Sequence, residues 1–84
     1  MVVHEEYAGA VLLEPHEDFG PCLIGSVDDP VRLAYSYEKI VEMFMNRDGM
    51  SYEEATEFVD YNTVRALAYM GEQKPVMVYG LLEA

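Results

Sequence analysis

The chain has 84 residues, enough for one hydrophobic core and too few for two. Its 16 Asp and Glu against 5 Lys and Arg give a formal net charge of -11. That balance argues against direct nucleic-acid binding, where Lys and Arg supply the affinity, and against docking on an anionic membrane surface.

Ala8 to Leu13 is a short apolar run closed by Glu14 and Pro15, of a length that suits a buried strand. His16 through Pro21 then reads as a polar loop. Cys22 to Val27 is expected to form a second strand, ended by the turn residues Asp28, Asp29 and Pro30. In Val31 to Tyr35 the larger apolar side chains fall on alternate positions, so that one face is buried and the two segments make a hairpin.

The period changes at Ser36, a good N-cap with Glu38 in the first turn behind it. Tyr37, Ile40, Val41 and Phe44 mark the apolar stripe of a helix of about three turns. Arg47 suits its carbonyl end and Gly49 supplies a left-handed cap. Ser51 to Glu54 is a Ser-x-x-Glu capping box, with Met50 placed as a hydrophobic staple. A second helix should therefore start at Ser51 and end before Gly71. Ala55, Phe58, Val59, Asn62, Ala66 and Tyr69 follow helical spacing, while Glu53, Glu57 and Asp60 line another face. Pro75 introduces a last strand over Val76 to Tyr79, with a run that can reach Leu82. The predicted fold is thus α+β: a small, mainly antiparallel sheet in the order β-β-β-α-α-β, with a two-helix hairpin packed on one face. Residues 1–84 are expected to form a single domain.

Candidate chemistry is sparse. His4 beside Glu5 and Glu6, His16 before Glu17 and Asp18, and Cys22 are metal-ligand types, but their spacing matches no structural zinc pattern. They read better as solvated histidines and a small buried thiol, and no metal or other cofactor is expected. The sequence contains no Gly-rich phosphate loop, nucleophile elbow, HExxH or CxxC, so the chain is not expected to be an enzyme. An enzyme would require His4, His16 or Cys22 to meet a carboxylate in a pocket. A lone cysteine, an acidic N-terminal segment and the lack of an apolar run of about 20 residues lead to an expected cytoplasmic location.

Asn62 falls on the apolar stripe of the second helix and is expected to be a buried amide bonded to loop or strand-edge backbone. Among seven tyrosines, Tyr52, Tyr61 and Tyr79 are candidates for partial exposure, where Tyr favours protein interfaces.

Tyr37-Glu38-Lys39-Ile40, Asp48-Gly49-Met50-Ser51-Tyr52-Glu53-Glu54-Ala55, Tyr61-Asn62 and Gly71-Glu72 with Pro75 resemble a group of short uncharacterised proteins of phage and bacterial genomes. Pro21-Cys22-Leu23-Ile24-Gly25 resembles their N-terminal half. The resemblance implies a phage or prophage setting and carries no activity with it.

The function expected from these features is that of an acidic binding module whose partner is a protein with a basic surface. The sharper form is an inhibitor of a host nucleic-acid-binding or defence protein of the CRISPR type. In that form Glu38, Glu42, Glu53, Glu57 and Asp60 stand in for phosphates, and Tyr61 is expected to bind the partner beside them. The alternative is a self-associating protein, such as a homodimer, and a small metal-dependent enzyme ranks last.

Overall fold

In the computed structural model, which describes residues 2–3, 9–28 and 30–80, strand β1 (Val2–Val3) pairs antiparallel with β2 (Val11–Leu12). A short helix α1 (His16–Phe19) and a 3-10 turn over Gly20–Cys22 follow, where the sequence suggested only a polar loop. The difference arises because Phe19 and Cys22 are buried, and a helical turn lets both reach the core from one short segment. Strands β3 (Leu23–Val27) and β4 (Arg32–Ser36) then form the expected hairpin. Helices α2 (Tyr37–Asp48) and α3 (Tyr52–Val59) come next, and β5 (Val76–Val78) is the last strand among the described residues. Expectations placed on His4, Glu5, Glu6, Ala8, Asp29 and Leu82 lie outside the described residues.

The fold is α+β, and with β1 and the short α1 set aside its strands and longer helices follow the predicted β-β-β-α-α-β order. The principal sheet has the order β3-β4-β5, with β3 antiparallel and β5 parallel to β4. A parallel return is possible because the helical hairpin between β4 and β5 is long enough to carry the chain back to the same end of the sheet. The central position of β4 changes one expectation. Its residues do not alternate between core and solvent: Leu33, Ala34, Tyr35 and Ser36 are all buried, because elements cover both faces.

The segment before β5 is fastened to the start of β4. Gln73 Nε2 donates to the Val31 carbonyl at 2.9 Å, and Arg32 Nε donates to the Lys74 carbonyl at 2.8 Å. The Gln73 carbonyl in turn accepts from Val11 N at 3.1 Å, so β2 is joined to the same corner.

The strand passes into α2 at Ser36, whose buried hydroxyl accepts from Lys39 N at 3.1 Å and caps the helix. Tyr37, Ile40, Val41 and Phe44 are buried as the period predicts. Gly49 ends α2 with φ 70°, a left-handed conformation that favours glycine. Both hydrogen bonds of the Ser51–Glu54 capping box are formed, and α3 buries Ala55 and Val59 against α2 and the sheet. Among the described residues, no helix is long and apolar enough to cross a membrane.

After Val59 the helix does not continue regularly. Asp60–Val64 forms a π turn, in which Arg65 N bonds the Asp60 carbonyl, and Arg65–Tyr69 tightens into a 3-10 turn. A π turn takes more residues per revolution, so each residue advances less than the roughly 100° of an α-helix. The core-facing stripe therefore slips by one position. Thr63 is buried, whereas Asn62 points to solvent and spends its Nδ2 on the Phe58 carbonyl at 3.0 Å. This corrects the expectation of a buried Asn62.

Candidate partner-binding surface

With Ala55 and Val59 turned inward, α3 and the π turn present Glu54, Glu57, Phe58 and Tyr61 outward along one side. These residues line an open groove of about 970 Å³ that runs from Met50 to Arg65. Its apolar surface comes from Met50, Phe58, Tyr61 and Val64, and its charged rim from Glu54, Glu57, Asp60 and Arg65. Phe58 spans core and surface: its ring lies 5.0 Å from that of Phe44, yet the residue stays 38% exposed. Tyr61 is 68% exposed and carries the Arg65 guanidinium 5.0 Å from its ring centroid.

Asp60 has a second engagement. Its Oδ1 accepts from the Tyr37 hydroxyl at 2.8 Å, which ties the end of α3 to the beginning of α2. Burial, followed by this hydrogen bond and the Asp60 charge, pushes the Tyr37 hydroxyl far above its ordinary pKa. One of the expected free carboxylates is therefore partly committed to holding the helices together.

A second depression, of about 520 Å³, lies between the Glu17–Asp18 turn and α2, with Cys22, Lys39, Glu42 and Arg47 in its wall. Arg47 Nη1 pairs with Asp18 Oδ2 at 2.7 Å, its Nε lies 3.0 Å from Asp48 Oδ1, and its guanidinium sits 4.9 Å from the Phe44 ring centroid. Arg47 holds the Asp48 carboxyl below the usual carboxylate range. Burial pushes the Cys22 thiol up against a weaker opposing pull from Lys39, which favours the protonated thiol. His16 is exposed and does not line this depression. Among the described residues, no three His, Cys, Asp or Glu side chains are grouped to hold a metal ion.

The expected acidic positions consequently divide. Glu57, Asp60 and Tyr61 line the α3 groove, and Glu42 lines the second depression. Glu53 is exposed on α3 outside the groove, and Glu38 is half-buried in the first turn of α2. The five carboxylates do not form one groove. Glu54, Phe58, Met50 and Arg65 line the groove in addition to the residues expected to bind. Their signal was a second stripe, 50, 54, 57–58, 61 and 65, offset from the core stripe of α3. Tyr52, Tyr61 and Tyr79 are exposed as expected, and Tyr69, at 87%, is the most exposed large hydrophobic side chain among the described residues.

Compared with known proteins, the chain matches no family model, no curated protein and no solved structure.

Proposed function

We propose that the chain is a small binding module that occupies a partner protein with a basic surface and performs no catalysis of its own. The observation that carries this reading is the α3 groove, in which the exposed rings of Phe58 and Tyr61 lie within a rim of Glu54, Glu57 and Asp60. Exposed aromatics inside a charged rim are the composition of a protein interface. The net charge of -11 steers the protein toward basic surfaces. Proteins that bind nucleic acid carry such surfaces, so the partner class proposed is a host nucleic-acid-binding protein, including a defence nuclease, in a phage or bacterial setting inside the cell.

The test immobilises the protein, exposes it to host lysate and elutes with rising salt. Release of one nucleic-acid-binding protein at high salt, with loss of capture in Glu57→Lys, supports the proposal. Capture that ignores both salt and Glu57→Lys overturns it.

A second reading, self-association, is favoured by β3. This edge strand carries no charge and leaves Ile24 40% and Val27 41% exposed, and such edges invite pairing with another strand. A dimer whose size is unchanged by salt favours this reading; a monomer at every salt concentration rejects it.

A further inference from the structure

We infer that the groove along α3 and the π turn takes a basic amphipathic helix of the partner; this rests on the binding-module reading above and specifies its occupant. The first reason is the backbone. The groove is lined by residues 50–65, whose main chain is engaged in helical hydrogen bonds: Ala55 N to the Ser51 carbonyl, Asp60 N to the Glu57 and Thr56 carbonyls, and Arg65 N to the Asp60 carbonyl. A peptide that binds by strand addition needs a strand edge to receive its own N–H and C=O groups, and this wall offers none. A helix brings its backbone already satisfied and docks through side chains alone.

The second reason is size. A helix about 10 Å across that rises about 1.5 Å per residue fills a volume of this order in roughly two turns. The groove, about 970 Å³ and open to solvent, is of that order, so a helix of a few turns can lie along it.

The third reason is charge. Three carboxylates, Glu54, Glu57 and Asp60, face one guanidinium, Arg65, which is held over Tyr61. The occupant's apolar anchors pack on Phe58 and Tyr61 while its Lys and Arg side chains reach the carboxylate rim. Among the described residues Arg65 is the one cation in the lining, and the carbonyl end of the incoming helix, or an acidic residue there, lies toward it.

The experiment uses the full chain and three labelled synthetic peptides of about 18 residues, long enough to be helix-competent. The first places Leu at helical spacing i, i+3, i+4, i+7 with Lys elsewhere. The second scrambles that composition so that no apolar face forms, and the third replaces Lys by Glu. Binding is read by fluorescence anisotropy at low salt and peptide helicity by circular dichroism.

The patterned Lys peptide is expected to bind at least about tenfold more tightly than its scramble, to gain helicity on binding, and to lose about tenfold with Tyr61→Ala or Glu57→Lys. Both side chains are exposed, and circular dichroism of the variants verifies the fold. Equal binding of patterned and scrambled Lys peptides, indifferent to Tyr61→Ala, overturns the helix inference while leaving the acidic binding module in place. Failure of both Lys peptides to bind overturns the module reading as well.

Discussion

The Tyr37 hydroxyl donates to Asp60 Oδ1 at 2.8 Å, and the Tyr37 ring packs 4.7 Å from that of Tyr79. One side chain at the start of α2 thereby joins the end of α3 to the residue after β5. Tyr37→Phe keeps the ring contact and removes the hydrogen bond, and a loss of about 1–2 kcal/mol is expected in urea unfolding. Asp60→Asn, which keeps an acceptor, should cost less.

The same pair sets an alkaline limit. The folded-state pKa of Tyr37 lies well above the ordinary value of about 10, first through burial and then through Asp60. Above about pH 10 the unfolded chain releases this proton while the folded chain retains it, so stability is full below that pH and falls as pH rises further. Stability measured from pH 8 to 11 should decline more steeply in the wild type than in Tyr37→Phe. Parallel curves would remove Tyr37 as the responsible group.

Leu13 N donates to the Tyr35 hydroxyl at 3.1 Å in the core, across 22 positions of sequence. Tyr35→Phe leaves that buried amide without its acceptor and is expected to cost about 1–3 kcal/mol. Amide hydrogen exchange at Leu13 should accelerate together with the drop in global stability.

The π turn makes opposite predictions for neighbouring residues. Thr63 faces the core, so Thr63→Asp should destabilise by at least about 2 kcal/mol through an unpaired buried carboxylate. Asn62 is exposed and bonds the carbonyl four residues back, so Asn62→Ala should stay within about 0.5 kcal/mol of wild type. The reverse ranking in thermal unfolding would mean that the helix runs regularly through this segment.

Ser51 closes both arms of the capping box, with Glu54 N donating to its Oγ at 3.1 Å and Ser51 N donating to Glu54 Oε1 at 3.0 Å. Ser51→Ala is expected to cost about 1 kcal/mol, and a circular dichroism melt measures it. Glu57→Lys, with no part in the cap, should leave stability nearly unchanged.

What the sequence determined by itself was local. Ser36, Gly49 and the Ser51–Glu54 box announce helix ends because capping depends on residues a few positions apart, and the stripe Tyr37, Ile40, Val41, Phe44 announces a buried face because helical period is a property of one segment. The net charge of -11 is likewise a property of composition alone.

Tertiary structure alone decided what depends on neighbours distant in sequence. β4 buries consecutive residues because both of its faces are covered by other elements, and β5 runs parallel because the helical hairpin returns the chain to that side. Asn62 and Thr63 exchanged places because one π turn rotates every later residue, a shift that no regular period encodes. The acidic residues appeared in the sequence as one class, and the fold separated Glu57 from Glu42 and engaged Asp60 with Tyr37, because charge is written in composition while a surface is made by packing.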